Sequence, residues 1–523
     1  MHGAPALSSP VPHCILAAAL GLVLVGCSPL PTLEGRSMTH TLNDTAHTRL
    51  GQAIRPAALT HPQQSGFVEL PEGREAFATR MLLAEAAERS LDVQYYIWHA
   101  DLTGTLLMQA LLRAADRGVR VRLLLDDNNT QGLDASLAAL NSHPNLELRL
   151  FNPFMQRNLR WLGYLTDFGR LNRRMHNKSL TADNQVTIVG GRNVGDEYFD
   201  AGQEVAFVDL DVLAIGAVVP QVSADFDRYW SSASAYPVDR LLPPASQESA
   251  QQVMARAAQV RSDPDAAPYL TALARSDFVQ RMIAGELRWE WTDVRLVSDD
   301  PAKGLGTAAN DVLLPERLAG ILGAPEKELL LVSPYFVPTQ SGTDALTALA
   351  QRGVSVRVLT NSLAATDVPA VHAGYVKYRH PLLRSGVQLY EMKPDGHRAR
   401  SSRNDRGLVG SSGASLHAKT FSVDARRVFV GSFNLDPRSA ALNTEMGLVI
   451  DSPRLASAMS QTFADKLPAQ SYTLRLDQAG HITWHDLRAP DGSPQTYQQE
   501  PRSSLWRRAI VRVLSWLPID WLL

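Results

Sequence analysis

The sequence predicts an α/β protein of two tandem lobes, related by a pseudo-two-fold axis, with one active site at their interface. Two observations support this fold class. The pattern H-x-K-x4-D occurs twice, at a constant separation of 241 residues. An alternation of strand, helix and strand precedes each copy, which is typical of a sheet covered by helices. With 523 residues, the chain is long enough for two or three domains with well-filled cores.

The N-terminal residues 1–27 predict a bacterial signal peptide. An apolar run at 15–25 has the length of a signal-peptide core and ends in the lipobox-like Leu24-Val25-Gly26-Cys27. We therefore expect cleavage before Cys27 and lipidation of its thiol, which would anchor the protein in the bacterial envelope. No Lys or Arg precedes Arg36, so the usual positive leader is missing. An N-terminal amphipathic segment or a different translation start therefore stays open.

The rest of the chain divides into a tether, two lobes and a linker. Residues 28–71 are polar and lack periodicity, which predicts a tether. The first lobe is predicted at 72–235, with a helix at 72–89, a strand at 91–98, a helix at 106–116 and a strand at 119–125. A linker and a helix follow at 236–300. The second lobe, predicted at 301–500, repeats the order with a strand at 329–332, a helix at 344–351 and a strand at 354–359.

Two segments have the composition of a membrane interface. Residues 501–523 contain a predicted amphipathic helix at 504–517, with Trp and aliphatic side chains on one half and arginines on the other. This pattern favours an interfacial helix, and packing of the apolar half on the protein itself is the alternative. Between 156 and 174, arginines stand among Trp, Tyr and Phe, which suits a membrane or substrate lip. A solvated face and stacking on nucleic-acid bases are the alternatives there.

The duplicated motifs place the same chemical groups in each lobe. Their members are His176, Lys178 and Asp183 in the first copy, and His417, Lys419 and Asp424 in the second. Residues two apart on an extended strand share a face, so each motif projects its His and its Lys together. An apolar strand and a Gly-containing turn follow, and the turns end in Asn193 and Asn434. A Glu comes next at the same distance in both halves, at Glu204 and Glu445.

If the two lobes face each other, these groups converge on one site. Two ammonium groups and several donors suit a phosphate, and two imidazoles suit a two-step displacement. The chain has no Cys cluster and no H-E-x-x-H pattern, so we predict neither a metal nor another cofactor. The net charge of −2 disfavours a general nucleic-acid binder, because such proteins are more often basic.

This constellation resembles the phospholipase D superfamily, whose signature is the duplicated H-x-K-x4-D. More specific stretches are similar to bacterial cardiolipin synthases, in particular their class C branch. These stretches include LDVQYYIW at 91–98, LLLDDNN at 123–129, LNRRMHNK at 171–178, SPYFVP at 333–338 and VHAGY at 371–375. The resemblance covers most of the chain, from residue 91 onward.

The resemblance implies a phosphohistidine mechanism with a role for each motif residue. One His attacks the phosphorus, and the other protonates the leaving alcohol and then activates the incoming one. By this analogy, we expect His176 to be the nucleophile and His417 the acid. Lys178, Lys419, Asn193 and Asn434 would hold the phosphoryl oxygens, and Glu204 and Glu445 would each orient a His. Asp183 and Asp424 belong to the signature, but we expect their role to be structural.

The resemblance also implies the substrates. In a cardiolipin synthase the acceptor is phosphatidylglycerol, and the donor is phosphatidylglycerol or phosphatidylethanolamine. A hydrolytic phospholipase D, which uses water as the acceptor, is one alternative. A phosphodiesterase or nuclease of the same superfamily is another. The implied partners are phospholipids and a membrane surface, without nucleic acid, and whether a protein partner is needed stays open.

Overall fold

The computed structural model describes residues 29–201, 206–264, 266–394, 414–489, 492–518 and 520. Its strands, numbered in chain order, are β1 Ser65–Leu70, β2 Ser90–Ile97, β3 Arg120–Asn129, β4 Leu146–Phe151, β5 Ser179–Ala182, β6 Val186–Gly190, β7 Ala206–Val208, β8 Asp211–Gly216, β9 Ala235–Pro237, β10 Glu290–Thr292, β11 Val294–Ser298, β12 Glu328–Val332, β13 Ser355–Asn361, β14 Gln388–Met392, β15 Ala414–Leu416, β16 Lys419–Val423, β17 Arg427–Gly431, β18 Met446–Asp451, β19 Ser471–Leu476, β20 Ile482–Asp486 and β21 Gln495–Tyr497.

The helices cover both sheets. They are α1 Arg49–Thr60, α2 Gly73–Ala86, α3 Leu102–Asp116, α4 Asp134–Asn141, α5 Arg160–Thr166, α6 Phe168–Leu171, α7 Val219–Trp230, α8 Gln247–Arg261, α9 Ala267–Ala274, α10 Asp277–Ile283, α11 Leu314–Leu322, α12 Thr339–Gln351, α13 Pro369–Arg384, α14 Pro437–Ala441, α15 Pro453–Gln461, α16 Leu467–Gln470 and α17 Leu505–Ser515. Short 3₁₀ turns occur at Asp196–Tyr198, Val238–Arg240, Pro301–Leu305 and Asn310–Val312, and a π-turn at Thr462–Lys466.

Two large sheets confirm the predicted pair of α/β lobes. Within the described residues, the first sheet has the order β10-β1-β8-β6-β5-β2-β3-β4-β9. The second has the order β11-β18-β17-β16-β12-β13-β14-β19-β20-β21. Six central strands therefore match one for one, from β8 to β4 and from β18 to β14. In each lobe three of them are parallel, β2, β3 and β4 in one and β12, β13 and β14 in the other.

The local sequence accounts for the parallel core. The second lobe's β12 has an almost continuous apolar run, which suits a strand that is buried on both faces. The matching joints Arg-Gly-Val end one helix in each lobe, and their glycines, Gly118 and Gly353, have φ values of 90° and 88°. Such a left-handed conformation favours Gly, because it lacks a Cβ atom.

The two sheets share a buried apolar core. Side chains of β1, β6 and β8, including Phe67, Val189 and Val212, form one cluster with Val430 and Leu448 of β17 and β18. A small parallel sheet joins the lobes as well, with β7 pairing β15. The chain passes from one sheet to the other between β10, which pairs β1, and β11, which pairs β18.

Most of the predicted tether belongs to the first lobe, which corrects the predicted boundaries. Strand β1 lies inside the first sheet, between β10 and β8. Ahead of it, the backbone carbonyl of Thr39 accepts a bond from buried Arg122, and that of Ser37 accepts one from buried Arg149. Residues 29–48 lack periodicity because their polar backbone, rather than an apolar face, makes these contacts. Strand β11 likewise places the start of the second lobe before the predicted residue 301.

The C-terminal segment 504–517 contains a helix, α17. The Ser504 hydroxyl caps it by accepting a bond from the backbone N–H of Arg507. Val511 is buried against Leu363 and Ala373 of the second lobe, whereas Trp506 and Trp516 are exposed. Of the helices that the structure describes, none is both long and apolar enough to span a bilayer. The predicted signal peptide with Cys27 lies outside the described residues.

Candidate active site

The two motif histidines lie at the interface, just ahead of β5 and β16. Each is held there by the other lobe. The backbone N–H of His176 donates to the carbonyl of Thr444 at 2.9 Å, and that of His417 donates to the carbonyl of Val208 at 2.8 Å. Both imidazoles are buried. Each histidine backbone is therefore positioned by a strand end of the opposite lobe.

The carboxylates that orient the imidazoles also cross the interface. His176 Nδ1 lies 2.8 Å from Glu445 Oε2, and His417 Nδ1 lies 2.5 Å from Asp209 Oδ2. A ring N–H that donates to a carboxylate leaves Nε2 of the same ring free for chemistry. Each imidazole therefore depends on both lobes for its orientation.

The carboxylate at His417 is a correction to the sequence-based assignment. Glu204, predicted for this place, lies outside the described residues, and Asp209 occupies it. In the ladders, Gly190 pairs with Asp211 and Gly431 pairs with Gly447, which makes Asp209 the structural counterpart of Glu445. The first lobe has five more residues between its Asn and its carboxylate, so a constant spacing of 241 selects the wrong residue.

The sequence reasoning also missed Ser432, which supports Glu445. Its hydroxyl donates to Glu445 Oε2 at 2.5 Å. The matching residue in the first lobe is Gly191, where a Cβ atom would lie 2.1 Å from Asp209 Oδ1. In the sequence, this serine is marked only by the difference between the turns Gly190-Gly191 and Gly431-Ser432. That difference can be interpreted only when the carboxylate that faces each turn is known.

Two buried lysines give the site its positive charge. Lys178 Nζ donates to the carbonyl of His176 at 2.6 Å, and Lys419 Nζ donates to the carbonyl of His417. Burial lowers the pKa of Lys178 to about 7 and that of Lys419 to about 8. A bound phosphodiester would favour their charged forms, because a nearby anion opposes the cost of burying an ammonium group.

The two imidazoles have different electrostatic surroundings. Burial, followed by the charges of Lys178, Lys419 and His417, lowers the pKa of His176 well below its usual value. Burial and Lys419 also lower the pKa of His417, but Asp209 opposes them. Burial raises the pKa of Glu445 to about 7. Burial alone would also raise the pKa of Asp209, but the charges of His417 and Lys419 together hold it well below the usual range.

The motif asparagines are placed differently from one another. Asn193 donates from Nδ2 to the Tyr198 hydroxyl at 3.0 Å and accepts at Oδ1 from the N–H of Ile97 at 3.2 Å. Asn434 is buried, and its Oδ1 has no hydrogen-bond partner among the described residues. Asn193 therefore braces the first lobe through both ends of its amide, whereas Asn434 keeps an acceptor available.

Aromatic rings enclose the imidazoles. The Tyr96 ring lies 4.9 Å from that of His176, and the rings of Tyr198 and Phe207 lie 5.2 and 5.1 Å from that of His417. Tyr335, whose stretch contributes to the family resemblance, donates its hydroxyl to Asp367 at 2.7 Å. These rings limit the rotation of the imidazoles and keep water from their faces.

The motif aspartates lie away from the site, each at the far turn of a hairpin. Asp183 accepts bonds from the backbone N–H groups of residues 88, 89 and 90. Asp424 accepts from those of residues 326, 327 and 328. In both lobes the carboxylate thus fixes the hairpin to the start of the neighbouring parallel strand.

One cluster of possible metal ligands lies outside this site. Among the described residues, His99, Asp101 and Glu197 bring their ligand atoms within 4.8 Å of one another. His99 Nδ1 lies 3.3 Å from Glu197, and Asp101 caps helix α3. The hydrogen bonds and ion pair within the cluster account for this arrangement.

Comparisons with known proteins agree with this geometry. Residues 81–230 and 318–467 match the family described as "Cardiolipin synthase, PLD-like domain". The chain is 51% identical to cardiolipin synthase C of Escherichia coli (strain K12), over 91% of this chain and 100% of that protein. It is 23% identical to a cardiolipin synthase of Oceanobacillus iheyensis, over 80% of this chain and 72% of that protein. A crystal structure of phosphatidylserine synthase from Haemophilus influenzae Rd KW20 is similar in fold, with a TM-score of 0.56 at 13% identity, over 90% of this chain and 100% of that one.

Proposed function

Because this chain belongs to the family of cardiolipin synthases with phospholipase D-like domains, we propose that it makes cardiolipin by phosphatidyl transfer between two phospholipids. It is a phosphatidyltransferase of the phospholipase D superfamily. The observation that carries the proposal is the 51% identity over the full length of a cardiolipin synthase. Two buried His–carboxylate pairs at one interface supply the chemistry that such a transfer needs.

In the first step, Nε2 of neutral His176 attacks the phosphorus of the donor lipid. A P–N bond forms, the P–O bond to the leaving head group breaks, and His417 gives its Nε2 proton to the departing oxygen. The low pKa of His176 suits the nucleophile, which must be neutral. Ionised Asp209 suits the acid, because it stabilises the imidazolium form of His417.

In the second step, neutral His417 takes a proton from a glycerol hydroxyl of phosphatidylglycerol. The hydroxyl oxygen then attacks the phosphorus, and the P–N bond to His176 breaks. Lys178 and Lys419 bind the phosphoryl oxygens in both steps and balance their charge. Asn193, Asp183 and Asp424 act on the protein scaffold.

The acceptor in this proposal is phosphatidylglycerol, and the donor is phosphatidylglycerol or phosphatidylethanolamine. The enzyme works at a membrane of the bacterial envelope, anchored through a lipid on Cys27. The predicted cleavage site and lipobox support that anchor.

A lipid product assay tests the function. Purified protein receives labelled phosphatidylglycerol in mixed micelles, with or without phosphatidylethanolamine. Cardiolipin with released glycerol or ethanolamine is expected, and the released alcohol identifies the donor. His176→Ala and His417→Ala should each lower turnover by at least about 1,000-fold, because either change removes a group used in both steps. Phosphatidic acid as the sole product would instead mean that water is the acceptor.

A further inference from the structure

Two exposed apolar surfaces lie on different lobes. The first-lobe patch consists of Leu159, Trp161, Leu165 and Phe168, with exposed fractions of 44% to 74%. The C-terminal patch consists of Leu505, Trp506, Val513 and Trp516, with exposed fractions of 56% to 77%. Large apolar side chains that cluster in water mark an interaction surface more often than single exposed ones do.

The first-lobe patch is connected to the His176 side of the site. Tyr164, on the same helix as Trp161, donates its hydroxyl to Asn128 at 2.9 Å. Asn128 is next to the last residue of β3, and that last residue pairs with Ile97 of β2. The neighbour of Ile97 is Tyr96, whose ring lies against His176. The patch therefore lies next to the C-terminal ends of β2 and β3. We call this edge of the site, together with the loop that follows β13, its mouth.

The C-terminal patch is connected to the His417 side. Arg507, next to Trp506, donates to the carbonyl of Thr366 at 2.5 Å. The adjacent carbonyl of Ala365 accepts a bond from the Ser415 hydroxyl at 3.0 Å. Ser415 lies two residues before His417, so helix α17 reaches the catalytic region through the loop that follows β13.

The two patches occupy corresponding places, although duplication does not account for them. Strands β3 and β13 have the same position in their sheets, and a helix of each patch is hydrogen-bonded to the loop that follows one of them, at Thr130 and at Thr366. The first patch, however, comes from chain between β4 and β5, and the second follows β21. Unrelated segments thus supply an apolar surface on each side of one site, which indicates a shared requirement at that mouth.

We propose that both patches insert together into one phospholipid bilayer and hold the mouth of the active site against its head groups. This inference rests on the proposed function, which requires access to membrane lipids. Trp and Leu at the surface with Arg507, Arg508 and Arg512 close by match an interface of anionic phosphatidylglycerol. Because the patches belong to different lobes, contact at both would fix the tilt of the enzyme as well as its distance from the membrane.

The test uses the full chain with Cys27→Ser, so that a lipid anchor does not dominate binding. One variant carries Trp161→Ser and Leu165→Ser, a second carries Trp506→Ser and Trp516→Ser, and a third combines all four changes. The matched control carries Leu59→Ser and Ile283→Ser, which remove similarly exposed apolar groups from other surfaces. Co-sedimentation with phosphatidylglycerol vesicles measures partition, and turnover of a short-chain phosphatidylglycerol below its critical micelle concentration reports the chemistry separately.

Each patch variant should lose about tenfold or more in vesicle partition, equivalent to about 1.4 kcal/mol. The combined variant should lose more than either, and the control should match the parent. All variants should keep the parent's turnover of the monomeric short-chain lipid. Unchanged partition in either patch variant, or a lipid-free dimer of the parent that these changes dissociate, would overturn the proposal. If the parent makes no cardiolipin in micelles, the proposed function fails. The vesicle partition of the variants still decides whether the two patches are the docking surface.

Discussion

At the residue scale, the two imidazoles are alike in sequence but not in their partners. Glu445 has a pKa raised to about 7 by burial and receives a hydrogen bond from Ser432. Asp209 stays ionised beside His417 and Lys419 and packs against Gly191. The duplicated motif alone presents a symmetric site. In the mechanism we propose, the asymmetry that separates nucleophile from acid comes from residues outside the motif.

A comparison of the two carboxylates tests this assignment. Asp209→Asn should lower kcat by at least about 100-fold, because an amide cannot stabilise the imidazolium of His417. Glu445→Gln should lower kcat less, because burial already raises the pKa of this carboxyl to about 7. Glu204→Gln, at the position that the constant spacing selected, is the comparison for Asp209. Steady-state rates of cardiolipin formation give all three values, and a larger loss at Glu445 would reverse the two histidine roles.

At the element scale, each active-site hairpin is fixed at both ends. The histidine end is bonded to the opposite lobe, and the aspartate end is bonded to the start of its own parallel strand. Asp183 and Asp424 have φ values of 51° and 54°, which L residues adopt in tight turns when the side chain bonds nearby backbone. The third residue of the signature therefore sets the register of the hairpin.

Replacing these aspartates should affect stability rather than chemistry. Asp183→Ala leaves buried N–H groups without an acceptor and should cost about 2–4 kcal/mol. Asp424→Ala should cost less, because its turn is more exposed to water. Each aspartate lies roughly 15 Å along its hairpin from the lysine of the same motif, so kcat per folded molecule should be unchanged. Thermal unfolding and active-site-normalised rates measure the two effects, with Asp344→Ala as the surface control.

The elements that the sequence predicted are those whose pattern depends on their own residues. Strand β12 and helix α17 have apolar patterns that identify them without knowledge of their neighbours. The segment 29–48 has no such pattern, because buried arginines of the first lobe bind its backbone. Asp209 was missed for a similar reason. Its role follows from the pairing of the strands. Because five extra residues precede it in the first lobe, a constant spacing of 241 residues selects Glu204 instead.

At the scale of the whole molecule, the lobes form one structural unit. The apolar cluster between the sheets, the pairing of β7 with β15 and the crossed His–carboxylate pairs all join them. The connecting chain adds another tie, because β10 pairs with β1 of the first sheet just before β11 enters the second. The proposed catalysis thus requires a contact between the lobes that apolar burial stabilises.

Cutting the chain between the lobes should therefore leave the enzyme intact. A protease site inserted after Gly285, in an exposed turn, would give fragments 1–285 and 286–523. The second fragment keeps β10, so the cut chain retains its pairing with β1 and the buried core between the sheets. We expect the fragments to co-elute in gel filtration and to keep most of their transfer activity, whereas either fragment expressed alone should be inactive, because each histidine would lack its carboxylate. Separation of the fragments under native conditions would show that the linker, rather than the interface, holds the site together.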